Sequence, residues 1–119
     1  MSKNGILKGY VEIPCTPSKS ITRSQIHYRE SGSGIPVLLL HPSPLSSKFM
    51  EPLIDLFSNH ARTIGWDTPG YGQSDQLPNK DSTLKPYVSA LHEFIGALGL
   101  DRPLIYGSAT GAQIAIEYG

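Results

Sequence analysis

The stretch Leu104-Ile105-Tyr106-Gly107-Ser108-Ala109-Thr110-Gly111-Ala112 decides how this sequence folds. An apolar run beginning at Pro103 suits a short strand, and the residues from Gly111 onward suit a helix. Between them, Gly107-Ser108-Ala109-Thr110-Gly111 leaves room only for a sharp turn. Its two glycines let backbone approach backbone closely. The central residue, Ala109, is then held at the tip of a strained turn above a helix N-terminus. Free backbone N–H groups there favour negative charge.

Working back toward the N-terminus, the same strand-then-helix rhythm recurs. Leu84, Tyr87, Val88, Leu91, Ile95 and Leu98 form one apolar helical face, with Ser82 or Thr83 as its cap and Gly99 just past its end. Ala61-Arg62-Thr63-Ile64-Gly65-Trp66 is a short strand. Phe49, Met50, Leu53, Ile54 and Phe57 recur at helical spacing, which places Pro52 near a helix start. Pro36-Val37-Leu38-Leu39-Leu40 has no polar side and fits a strand buried on both faces. Two alternating segments, 8–13 and 25–30, precede it and are expected to pair antiparallel. Pro14 and Pro17 are expected to end the first of them.

Buried strands alternating with amphipathic helices predict an α/β fold: a mostly parallel sheet with helices on both faces and the first two strands antiparallel. Loops after the strand C-termini then gather on one edge, where ligands bind. They are His41-Pro42-Ser43-Pro44-Leu45-Ser46-Ser47, Asp67-Thr68-Pro69-Gly70-Tyr71-Gly72-Gln73-Ser74-Asp75, and the turn around Ala109.

Composition narrows the function. The 119 residues hold 10 Lys+Arg and 10 Asp+Glu, a formal net charge of zero. No surplus positive charge exists to neutralise a phosphate backbone, so nucleic acid is not an expected partner. The 39% hydrophobic fraction rises to roughly half when glycine is added, the globular level. A single cysteine, Cys15, excludes an intrachain disulfide framework and a multi-cysteine zinc site. The first residues lack a secretory apolar run, and the longest apolar stretch is far short of the ~20 residues that cross a bilayer. The expectation is a cytoplasmic protein with no membrane, metal or cofactor partner.

The three loops together resemble motifs of the α/β-hydrolase superfamily, over about residues 26–119. The 41–47 loop looks like its His-Gly-x-Pro-x-Ser-Ser segment, and 67–75 is similar to its Asp-x-Pro-Gly-x-Gly-x-Ser-Asp turn. The segment 107–112 falls where the family's nucleophile elbow belongs. Within the superfamily the resemblance leans toward esterase-like enzymes, haloalkane dehalogenases and epoxide hydrolases. It implies the N-terminal portion of that fold, in one incomplete domain spanning 1–119. The complete form would hydrolyse a small ester, halide or epoxide.

The departures carry as much information. The family's nucleophile maps to Ala109, whose methyl group attacks nothing. Ser108 sits one place early, and its plainer reading is a turn hydroxyl satisfying a local backbone group. Pro42 replaces the usual glycine. The oxyanion donors map to the backbone N–H groups of Ser43 and Thr110, which persist. The family's acid and histidine lie beyond the last helix of this chain. His41 is expected to hydrogen-bond its own loop. His27, His60 and His92 are expected at the surface or half buried, and Asp67 and Asp75 to cap turns. Two explanations cover the short length: a fragment of a longer chain, or a short product that pairs with itself through an open sheet edge.

Two classes of function follow. One is a hydrolase whose catalytic set is not assembled in this chain. The other is a non-catalytic protein that holds a small molecule without cleaving it. Nucleotide chemistry finds no support. Asp67-Thr68-Pro69-Gly70 lacks a phosphate loop upstream, because Ser18 precedes Lys19-Ser20 where glycine is required, and Asn79-Lys80-Asp81 is not the spaced base-reading motif. The Gly107–Gly111 spacing is not Gly-x-Gly-x-x-Gly. Trp66, Phe49, Phe57 and Phe94 are expected in the core or lining a pocket.

Overall fold

The strand Pro36–Leu40 stands inside the sheet, as its unbroken apolar run requires, and its last three residues are buried. In the computed structural model, residues 5–15, 22–77 and 84–118 are described. The elements are β1 (Leu7–Cys15), β2 (Thr22–Ser31), β3 (Pro36–Leu40), a 3-10 turn at Ser47–Met50, α1 (Glu51–Phe57), β4 (Arg62–Trp66), α2 (Lys85–Ala97), β5 (Leu104–Gly107) and α3 (Thr110–Tyr118). Pro17, Lys19-Ser20, Asn79-Lys80-Asp81 and the expected cap at Ser82 or Thr83 lie outside the described residues.

The sheet order is β1-β2-β4-β3-β5. β3 pairs parallel with β4 and with β5, while β2 runs antiparallel to both β1 and β4. The α/β sheet and its antiparallel first two strands are as expected, and the antiparallel pairing of β2 with β4 makes the sheet mixed. Its period of two separates the faces. Leu38, Leu40, Ile64 and Trp66 pack with Ala90, Leu91, Phe94, Ile95 and Ile114 from α2 and α3. Leu39 points the other way, onto Met50 and Ile54. Each fully buried aliphatic side chain of this kind stabilises the fold by about 1.5–3 kcal/mol.

Topology fixes where a site can be. The chain leaves β3 through α1 to β4 on one side, then returns through α2 across β3 to β5 on the other. Right-handed crossovers in opposite directions put α1 and α2 on opposite faces. The strand order therefore reverses at β3, and in such sheets ligands bind between the loops that follow the two strands at the reversal, here β3 and β5.

Several boundaries differ from the sequence expectation. β1 runs through Pro14, paired with Arg23, to Cys15. It tolerates the proline because it is an edge strand, with an N–H position that faces no neighbour. The helix expected around Phe49 splits into the 3-10 turn and α1, with Pro52 in the first turn of α1. Phe49 and Phe57 consequently lie 56% and 36% exposed rather than in the core, while Trp66 and Phe94 are fully buried. After α2, Leu100 N–H bonds Ile95 O at 3.1 Å and Gly99 N–H bonds Gly96 O at 3.0 Å, the double bond that closes a helix at a glycine. Among the described residues, no helix is long and apolar enough to cross a membrane.

Candidate functional site

The turn after β5 bends as the glycine spacing requires. Ala109 takes φ 54°, in the left-handed region that residues with a Cβ adopt at a cost. Ser108 N–H reaches Leu40 O at 3.2 Å, tying the turn to the end of β3, and Gly111 N–H bonds Ser108 O at 2.9 Å. The backbone of Ser108, rather than its hydroxyl, makes these bonds. A side chain at Gly111 would run into the carbonyls of Leu40 and His41, so glycine is what lets α3 start against β3. Ala109 is exposed at the apex and Thr110 opens α3.

The loop after β3 is organised by a histidine. His41 is 1% exposed. Its Nε2 accepts the Thr68 backbone N–H at 2.9 Å and faces Thr68 Oγ1 at 3.0 Å. A backbone N–H only donates, so the proton is on Nδ1, which bonds Pro42 O at 2.9 Å. Burial pushes the His41 imidazole below the ordinary histidine value, against the Pro42 carbonyl and the Asp67 charge that pull it up. His41 thus hydrogen-bonds its loop, as expected. Within the loop, Leu45 N–H bonds Pro42 O at 3.0 Å, and Ser43 is exposed.

The turn after β4 centres on Asp67, which has no exposed surface. Oδ1 accepts Ser47 N–H at 2.7 Å, and Oδ2 accepts Gln73 N–H at 2.9 Å and His27 Nδ1–H at 3.0 Å. Burial alone would raise the Asp67 pKa, but the hydrogen bonds from Gln73, Ser47 and His27 outweigh it and hold the carboxyl below its ordinary value. Behind it, Arg29 bonds Ser47 Oγ at 2.7 Å and Glu51 Oε2 at 2.9 Å, with its guanidinium 3.9 Å from Asp67 Oδ1. Gly72 takes φ 54°, and a Cβ there would strike the Asp67 carboxylate.

The far end of this turn lies along β2. Asp75 exchanges two bonds with Gln25, at 2.8 and 2.9 Å. Ser74 Oγ accepts His27 N–H at 2.9 Å and donates to Asp67 O at 2.7 Å. Asp67 and Asp75 are therefore turn-holding carboxylates, as expected. His27 corrects its expectation. It is 4% exposed and bonded to Asp67, because its side of β2 is covered by the polar 67–75 turn rather than by solvent. The period of two in segment 25–30 places His27 and Arg29 on the face opposite Ile26 and Tyr28. Among the described residues, no group of three or more His, Cys, Asp or Glu could hold a metal ion. His60 precedes β4, at the opposite ends of the strands from these loops, beside an open polar cleft with Ser31, Gly32 and Asn59.

Comparison with known proteins points one way. The chain is 35% identical over 88 residues to the (E)-2-((N-methylformamido)methylene)succinate hydrolase of Acinetobacter baylyi, covering 74% of this chain and 33% of that protein. It is 30% identical over 95 residues to haloalkane dehalogenase 2 of Mycobacterium tuberculosis, covering 80% and 33%. Among solved structures, an epoxide hydrolase from an endophytic Streptomyces superposes with a TM-score of 0.82 at 25% identity, over 96% of this chain and 33% of that one. The chain thus spans about a third of the length of the curated relatives it matches. No protein-family model matches it.

Proposed function

The chain belongs to the α/β-hydrolase superfamily, and on that premise we propose that it carries the nucleophile elbow and oxyanion loop of a hydrolase domain without the means to catalyse. In this reading Ala109 stands at the nucleophile position, and the backbone N–H groups of Ser43 and Thr110 are the oxyanion donors. The observation that carries it is the left-handed backbone of Ala109 at the apex of a strand-to-helix turn. A donor of this kind is worth about 3 kcal/mol in an intact enzyme, which does not replace a missing attacking group.

The histidines support the same conclusion. His27 and His41 are committed to Asp67 and Thr68. His60 sits at the opposite strand ends and His92 is exposed on α2. A general base and its acid would come from polypeptide outside these residues, and the complete domain would act on a small ester, halide or epoxide. The vacant Ala109 position favours a second reading, a pocket that binds a small molecule without cleaving it. One cysteine in 119 residues goes with a reducing compartment, the cytoplasm.

Self-association through β5 belongs to this reading too. Leu104 and Tyr106 are 64% and 52% exposed on the edge strand. β5 holds no charged residue, whereas the other edge, β1, carries Lys8, Glu12 and Pro14, which discourage pairing.

The test is hydrolysis of p-nitrophenyl acetate by the purified chain. We expect no turnover above buffer. Saturable hydrolysis abolished by Ser108→Ala would overturn the reading and make Ser108 the nucleophile.

A further inference from the structure

Residues 41–47 form an arch between β3 and the 3-10 turn, and the two ends of this arch are fastened to two consecutive residues of another loop. At one end His41 Nε2 accepts Thr68 N–H at 2.9 Å. At the other, Ser47 N–H donates to Asp67 Oδ1 at 2.7 Å. Consecutive Cα atoms are ~3.8 Å apart, so the two fastenings close the arch at its base. Among the described residues, no backbone-to-backbone hydrogen bond joins 41–47 to 67–75. Each of these two bonds therefore runs from a backbone N–H of one loop to a side chain of the other.

We infer that Asp67 and His41 are the positioning residues of this arch, acting with the Thr68 backbone to fix where the Ser43 N–H stands. The inference rests on the reading above that Ser43 supplies an oxyanion donor. Neither residue touches a reacting group; each acts through the arch. The groups facing Asp67 are His27 and Arg29 from β2, Ser47 from the arch end, and Gln73 and Gly72 from its own turn. Glu51 from α1 reaches the cluster through Arg29. Asp67 is the acceptor on which arch, turn and strand converge.

Residue-resolved amide hydrogen exchange on the whole chain tests this without ligand or turnover. In Asp67→Ala, which leaves the Ser47 N–H no acceptor on this side chain, the Ser47 and Leu45 amides should exchange at least tenfold faster, while Leu39 and Ile64 in the sheet change less than twofold. In wild type, exchange of the arch relative to the sheet, corrected for intrinsic rates, should climb as pH falls below about 4, where carboxylates protonate. In Asp67→Asn that ratio should be flat with pH. His41→Gln, as a second variant should the first not fold, should accelerate Leu45 and leave Ser47 bonded. Uniform acceleration of arch and sheet, or no change in 42–47, would overturn the inference. A failure here leaves the hydrolase reading standing, and p-nitrophenyl acetate turnover would leave the arch result standing.

Discussion

His27 Nδ1 and Asp67 Oδ2 lie 3.0 Å apart, both side chains buried, joining β2 to the turn after β4 across 40 positions of sequence. The pair binds the antiparallel leading strands to the parallel part of the sheet at the edge where the loops gather. With Ser47 and Gln73 on the same carboxylate, it makes one side chain responsible for several segments.

Removing that carboxylate should be costly. Asp67→Ala leaves the His27, Gln73 and Ser47 donors without this acceptor, with Glu51 still paired to Arg29. Leaving a buried donor without its acceptor costs about 1–3 kcal/mol for each group. Urea unfolding followed by tryptophan fluorescence, which reads Trp66, should show a loss of that size.

Acid should weaken the fold through the same group. The Asp67 carboxyl titrates below its ordinary value in the folded state. Its contribution is therefore fully present above the unfolded value, about 4, and is lost as pH falls through the lower folded value. The urea midpoint of wild type should drop from pH 5 to pH 2.5. Asp67→Asn should lose less over that range, because it has nothing there to protonate.

Two glycines should respond with opposite signs. At Gly111 an added methyl meets the carbonyls of Leu40 and His41. Gly111→Ala should cost about 1–3 kcal/mol, as overpacking does. A methyl at Gly96, near the end of α2, has open space around it. Gly96→Ala should gain about 0.5–1 kcal/mol from lower backbone entropy in the unfolded chain. Thermal unfolding of the two variants side by side checks both.

The uncovered edge predicts concentration dependence. Sedimentation velocity should show association of wild type that weakens when Tyr106→Lys places a charge on β5. A charge added to β1 at Tyr10 should leave association unchanged. Association insensitive to β5 charges would place the contact elsewhere.

Much of this architecture was legible in the residues. The unbroken Pro36–Leu40 run can satisfy neither face in water, so it had to lie inside a covered sheet. Gly99 sits where a helix needs a terminator, and Gly107 and Gly111 on either side of Ala109 allow a backbone approach that a side chain would block. The fate of His27 was less legible. Alternation assigns a side chain to a face but is silent on what covers that face, and here the cover is a loop from forty positions away. Pro14 continues β1 for a similar reason, since whether a proline ends a strand depends on whether a neighbour needs its missing N–H. Phe49 lies in the 3-10 turn 47–50, which spacing alone does not distinguish from an α-turn.

The central claim is that position 109, not 108, stands at the reactive apex beside the α3 N-terminus. Thiol reactivity reads this directly, with Cys15→Ser as background. Iodoacetamide should alkylate Ala109→Cys faster than Ser108→Cys, with a rate midpoint below the ~8.5 of an ordinary thiol, because helix N–H groups stabilise the thiolate. Faster alkylation of Ser108→Cys, or an unshifted midpoint at Ala109→Cys, would contradict the account.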